Sequence, residues 1–151
     1  MSDSLVFLMG NYEARFPTDR HYAKNHMWAQ NLGTAWRFGF SAYAVRLLQD
    51  VYFLEWSVDA GARLAEKQQI GFIESKKAES DLFSPAAGLL ARFNEKLLAD
   101  PTAINLEPYG EGWLFEMESG SPPLLSPADY VVHLESVWEV TQRTIKGQMN
   151  E

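Results

Sequence analysis

The segment Ile70-Gly71-Phe72-Ile73-Glu74-Ser75-Lys76-Lys77-Ala78-Glu79-Ser80-Asp81-Leu82-Phe83 sets two short apolar arms on either side of a charged tip. Short runs of β-branched and aromatic residues bounded by polar ones are the pattern of paired strands. If the arms pair, Lys76 and Lys77 stand at the exposed end of a hairpin. Turn chemistry alone does not dictate that hairpin, because a Lys-Lys pair lacks the Asn or Gly that tolerates positive φ. Two readings of the tip stand side by side. One is a solvated charged loop, which is what most surface lysine pairs are, and the other is a presented primary amine.

Outward from this segment the same texture continues. Ala35 to Phe40, Val51 to Trp56, Leu89 to Phe93 and Trp113 to Met117 are brief apolar runs interrupted by turn formers, and each reads as a strand. Ser41 is placed to cap a short helix through Leu48. After the Gly-, Ser- and Pro-rich stretch Ser119 to Pro127, a longer helix is announced by Ser126 as N-cap, Pro127 at the first helical position and Asp129 in the capping-box slot. Its apolar stripe runs through Tyr130, Leu134, Val137, Trp138, Thr141 and Ile145. Ser84-Pro85 also looks like a helix start, and Ala86 to Ala99 holds good helix formers, so local propensity writes a helix there that Gly88 weakens.

Composition narrows the chemistry. The 151 residues fit one domain and are 46% apolar, which excludes a disordered chain. No Cys is present, so disulfides, thiolate metal sites and a thiol nucleophile are excluded, and any sulfur redox chemistry must come from a bound group. A net charge of −7 makes nucleic acid and anionic lipid poor partners. The run Leu5 to Met9 is too short for a bilayer and has no Lys or Arg before it, so a soluble cytoplasmic protein without membrane contact is expected.

A self-contained active site does not emerge. His21, His26 and His133 lie at no metal-binding spacing and read as solvated or capping histidines, so no metal is expected. Tyr109-Gly110-Glu111-Gly112-Trp113 precedes a strand and not a helix, which makes it a turn and not a phosphate loop. Glu116 and Glu118 alternate along a strand and read as a solvated face. With no nucleophile and base pair, no catalytic residue is assigned.

Taken in order, His26-Met27-Trp28, Gly39-Phe40-Ser41, Leu48 with Asp50, Glu74-Ser75-Lys76-Lys77-Ala78, Ser80-Asp81-Leu82-Phe83-Ser84-Pro85, Asn94-Glu95-Lys96-Leu97, Asn105 and Pro108-Tyr109-Gly110-Glu111-Gly112-Trp113-Leu114 resemble the H-protein of the glycine cleavage system, a lipoyl carrier. The likeness covers about Pro17 to Leu134. It implies a mostly β fold, a lipoyl-domain-like barrel-sandwich hybrid of two antiparallel sheets with short marginal helices, here followed by a C-terminal helix. Within that fold the segment after Ser84 opens a strand, so the resemblance overrules the helix propensity of Ala86 to Phe93 and moves the helical turn to about Glu95 to Ala99. The implied organisation is residues 1–16 as an N-terminal extension, 17–118 as the lipoyl domain, and 119–151 as linker and helix. Met27 stands where the family usually has Glu, and Gln49 where it has Gly.

The resemblance also implies a site. The family's attachment motif carries lipoate covalently on its fourth residue, here Lys77, with Glu74, Ser75 and Ala78 as the rest of the motif and Lys76 in the Val slot. Acylation removes one positive charge and mounts a cyclic disulfide on a long stem, so that a Cys-free, non-catalytic chain gains one redox-active sulfur pair. The implied partners are glycine decarboxylase, which loads an aminomethyl group, an aminomethyltransferase, dihydrolipoyl dehydrogenase, and a lipoate-attaching enzyme. Glu74, Glu79 and Asp81 read either as docking charges or as solubilising ones. The alternatives are a lipoate carrier for another pathway, such as sulfur oxidation or lipoyl relay, and an unmodified module whose tail helix binds a partner through Tyr130, Leu134 and Trp138.

Overall fold

The computed structural model describes residues 3–149, and side chains over residues 3–141. In chain order the elements are β1 (Ser4–Met9), β2 (Tyr12–Pro17), β3 (His21–Tyr22), β4 (Met27–Asn31), β5 (Trp36–Phe40), α1 (Ala42–Leu48), β6 (Val51–Trp56), β7 (Arg63–Leu64), β8 (Gln69–Ser75), β9 (Glu79–Phe83), β10 (Gly88–Phe93), α2 (Lys96–Ala99), α3 (Ala103–Leu106), β11 (Phe115–Glu118) and α4 (Pro127–Met149). All ladders are antiparallel. A six-stranded sheet runs β3-β4-β5-β11-β10-β7, a three-stranded sheet runs β6-β8-β9, and β1 and β2 pair on their own. The expected mostly β architecture of antiparallel sheets with marginal helices holds.

The two larger sheets face each other across one core. Phe38, Leu90, Phe115 and Met117 come from the six-stranded sheet, Leu54, Ile70, Ile73 and Leu82 from the three-stranded one, and Leu48, Leu97 and Ile104 close the ends from α1, α2 and α3. The pattern along β8 shows why it is a strand: Gly71, Ile73 and Ser75 are buried while Phe72 and Glu74 between them are only half-buried, so one face looks inward. Gly71 is needed there because a Cβ would stand 2.4 Å from the Glu55 carbonyl oxygen on β6. β10 takes the segment after Ser84 as a strand. It pairs with both β11 and β7, and a helix would forfeit both ladders and the burial of Leu90.

A second core lies beside the first, and its walls are aromatic. Phe7, Phe16, Tyr22, Trp28, Tyr43, Tyr130 and Leu134 are buried together, drawn from β1, β2, β3, β4, α1 and α4. Gly10 (φ +66) sits at the first central position of the β1–β2 turn, where positive φ aligns the two strands. The helix start at Ser126 is as expected, with its hydroxyl accepting from the Asp129 N–H at 3.1 Å. Tyr130 and Leu134 are fully buried in this core, which corrects the idea that these residues of the tail helix reach for a partner. Val137 and Trp138 pack against the same cluster, while the side chain of Ile145 lies outside the described ones. Ser41 does precede α1, but its hydroxyl makes no cap. It is 2.8 Å from the Tyr130 hydroxyl and ties α1 to α4 instead.

Candidate functional site

The Ile70–Phe83 segment is the hairpin of β8 and β9, in register from Glu74↔Glu79 to Gly71↔Leu82, and Lys76 and Lys77 stand exposed at its tip. Neither lysine has positive φ. The turn avoids that requirement by using Ser75. Its N–H donates to the Ala78 carbonyl at 2.9 Å, its buried hydroxyl donates to the same oxygen at 3.1 Å, and that hydroxyl accepts from the Ala78 N–H at 3.2 Å. A side chain thus replaces one backbone partner in closing the loop. Ser75 and Ala78 shape the tip, and Glu74 stands half-buried one step below, opposite Glu79. The Lys77 amine makes no hydrogen bond or ion pair among the described residues, so it is presented to solvent.

The tip is also held from the side. The Lys76 N–H donates to the Asp50 carbonyl at 2.8 Å. The loop containing Asp50 is itself clamped by Asn105 of α3, whose Oδ1 accepts from the Val51 N–H at 2.9 Å and whose Nδ2 donates to the Gln49 carbonyl at 2.6 Å. Asp50 and Asn105 were legible only as matched positions; the Asn105 clamp reaches across 54 and 56 residues, which no local pattern encodes. Gln49 is held at φ +58, ψ −145, a conformation costly for any residue with a Cβ. Gln49→Gly is therefore expected to stabilise the fold by about 1 kcal/mol, because relief of strain exceeds the extra chain entropy of glycine. Chemical denaturation of the two proteins measures this, and a destabilised variant would contradict the reading.

Beside the tip runs a groove of about 250 Å³, walled by Met27, Phe40, Leu47 and Ile73, with Ala78 and Ser80 contributing from the hairpin. Its polar lining is sparse. Asp81 accepts from the Gln69 amide at 3.1 Å, and Asn25 donates to the Phe83 carbonyl at 3.1 Å. His26 also lines it, which corrects the expectation of a solvated histidine. The backbone of His26 has φ +73, its Nδ1 lies 2.9 Å from the Tyr130 hydroxyl, and its ring centre is 4.6 Å from that of Tyr43. Burial, with a smaller contribution from the facing His133, pushes its pKa down to about 4 from an ordinary 6.5.

Neutral His26 adds no charge to the groove at physiological pH. It also makes folding pH-dependent. A lowered folded-state pKa means that the unfolded chain binds the proton first, so stability is complete above about pH 6.5 and is lost as pH falls toward about 4. The expected loss is about 2–3 kcal/mol across that window. His26→Asn, which tolerates positive φ, should flatten most of the slope in denaturation curves taken at several pH values. A slope unchanged in the variant would assign the dependence to other groups.

Other residues singled out by their sequence context fall elsewhere. Glu116 is not on a solvated face. It is buried, receives the Arg37 and Arg92 guanidinium Nε atoms at 2.8 Å each, and both guanidiniums lie over the Trp113 ring at 4.4 and 5.3 Å. Arg92, and then Arg37, hold its carboxyl below the usual carboxylate range against the opposing effect of burial. Glu118 is exposed, as expected. His21 lies on the surface with its ring near Trp36. Among the described residues no helix is long and apolar enough to cross a membrane.

Comparison with known proteins finds relatives that span most of this chain. The family model described as glycine cleavage H-protein matches residues 20–141. The glycine cleavage system H protein of Rubrobacter xylanophilus is 40% identical over 123 residues, covering 81% of this chain and 97% of the relative. That of Methylacidiphilum infernorum is 38% identical over 110 residues, covering 73% and 85%. In three dimensions the chain is similar to the crystal structure of a glycine cleavage system H protein from Mycobacterium marinum, with a TM-score of 0.69, 31% identity, and coverage of 76% of this chain and 95% of that one.

Proposed function

This chain belongs to the glycine cleavage H-protein family, and on that premise we propose that Lys77 is the residue through which it carries lipoate. The chain is a lipoyl carrier of glycine cleavage, a holder and not a catalyst. One observation carries the assignment of the residue: an unpartnered primary amine stands at the end of a hairpin closed by Ser75 and pinned to Asp50. An acylating enzyme needs a lysine whose place is defined before it binds, and a stiff two-residue tip defines it. Lys76 is adjacent and also exposed, but its backbone N–H is the one tied to the Asp50 carbonyl.

When bound, a lipoyl group supplies a cyclic disulfide that accepts and hands on a one-carbon amine. The chain's own residues contribute position and shelter. Amide formation at Lys77 Nζ removes one cation from the tip and takes the net charge from −7 to −8. The apolar walls from Met27, Phe40, Leu47 and Ile73 offer the ring end of such an arm a site next to the hairpin, and neutral His26 adds no positive charge to it. Glu74, Glu79 and Asp81 give the tip an acidic collar that suits basic partner surfaces and quickens encounter. The partners on this reading are glycine decarboxylase, an aminomethyltransferase, dihydrolipoyl dehydrogenase and a lipoate-attaching enzyme.

The test is intact mass after expression in a host that makes and attaches lipoate, followed by peptide mapping. The expected result is a gain of one lipoyl group, located on Lys77, and support of glycine-dependent turnover when the three enzymes are supplied. An unmodified chain from that host, or a group mapped elsewhere, overturns the assignment.

A further inference from the structure

The hairpin of β1 and β2 precedes the segment matched by the family model, and its two outer edges differ. The two-residue connection Gly10-Asn11 sets Met9 opposite Tyr12, so Leu5, Phe7 and Met9 exchange hydrogen bonds with β2. By the alternation of an antiparallel ladder, the backbone groups of Ser4, Val6 and Leu8 then point away from β2, and those of Glu13, Arg15 and Pro17 point away from β1.

On the β2 side the molecule supplies partners. The Tyr109 hydroxyl donates to the Arg15 carbonyl at 2.8 Å, and the Tyr22 hydroxyl donates to the Pro17 carbonyl at 2.7 Å. On the β1 side none of the described hydrogen bonds reaches the backbone of Ser4, Val6 or Leu8. This open strand has no Pro, no charged residue and no break in register, and Val6 and Leu8 are 41% and 58% exposed. Proteins usually blunt such an edge with Lys, Pro or a bulge, because an unblunted one accepts another strand.

We propose that β1 is an association edge, and that its occupant is β1 of a second copy of this chain, paired antiparallel about a two-fold axis at Val6. The strand is complementary to itself in one register. Val6 stands opposite the second copy's Val6, and Ser4 opposite its Leu8, so every outward-pointing backbone group finds a partner at once. Electrostatics permits it despite the charge of −7 on each copy, since neither strand brings a charge to the junction and the nearest charges on that face, Glu13 and Arg15, already pair with each other at 3.0 Å. The result is a continuous four-stranded sheet, β2-β1-β1-β2, that joins two carriers.

The absence of cysteine makes the register directly readable. Opposed residues in such a pair have Cα atoms about 5.5 Å apart, within disulfide range, whereas Leu8 and its own copy lie four residues apart along the ladder, about 13 Å. In the full-length chain, Val6→Cys is expected to form a disulfide dimer under mild oxidation, and Leu8→Cys to form little. Sedimentation of the wild-type chain over a concentration series should show reversible doubling of mass. Val6→Pro, which removes only an outward N–H, and Val6→Lys, which places a charge on the edge, should each weaken dimerisation about tenfold or more with unchanged melting of the monomer. A wild-type chain monomeric throughout the series overturns the proposal. So does equal crosslinking through Val6→Cys and Leu8→Cys, or a dimer indifferent to both Val6 substitutions.

Discussion

Lys77→Arg is expected to abolish lipoyl attachment and, with it, all glycine-dependent turnover in a reconstituted system. The substitution keeps the charge and the exposure of the side chain, so the fold should be unchanged within about 0.5 kcal/mol. What it removes is the nucleophilic amine, since a guanidinium does not form the amide. Lys76→Arg is the matched control. The contact of Lys76 with Asp50 is made by its backbone N–H, which the substitution leaves in place, so this variant should gain the full lipoyl mass and sustain turnover. Intact mass and turnover are to be measured on both proteins from the same lipoate-competent host. Modification that survives in Lys77→Arg and disappears in Lys76→Arg would move the site by one residue and refute the motif-based assignment.

Tyr130→Ala should be the most damaging substitution for stability, at about 3–5 kcal/mol. The Tyr130 ring is fully buried, stacks on Tyr22 at 4.8 Å and 4°, and meets Phe16 edge-on at 5.1 Å. Its removal opens a cavity in the core that α4, β2 and β3 share. Its hydroxyl adds a second contribution, because it joins His26 Nδ1 at 2.9 Å and Ser41 Oγ at 2.8 Å. Burial holds the phenol far above its usual range, so it stays a neutral hydrogen-bonding group at any physiological pH. Tyr130→Phe keeps the packing and strands those two partners, for an expected cost of about 1–2 kcal/mol. Urea denaturation of the three proteins separates the ring from the hydroxyl. A cost below about 1 kcal/mol for Tyr130→Ala would mean that α4 contributes little to the fold, contrary to its buried stripe.

Most of the frame was legible because it rests on local periodicity. The β8 and β9 arms, the strand at Val51–Trp56 and the helix after Ser126 all carry their own patterns, and all appear where those patterns put them. The segment after Ser84 did not carry its own answer. Its propensity was helical, and only its place between β7 and β11 makes it a strand. The polar residues were harder still. His26 finds Tyr130 from 104 positions away, and Glu116 finds Arg37 from 79, so their burial could not be seen from alternation along one strand. Ser41 looked like a cap because capping is a local habit of serine, yet the hydroxyl was claimed by a tyrosine 89 residues on. At the tip itself the residue types were plain, whereas the bracing by Asp50 and Asn105 came from the fold.

The pairing of Glu74 with Glu79 directly beneath the tip has a consequence for how the hairpin responds to ions. Like charges set opposite each other across two strands push the ladder apart, and neither residue belongs to any described ion pair. Added electrolyte shortens the reach of that repulsion, so the last rung should tighten, not fray, as ionic strength rises. Slower amide exchange at Ser75 in concentrated salt than in dilute buffer would display this, an inverse salt response confined to the neck of the presented lysine.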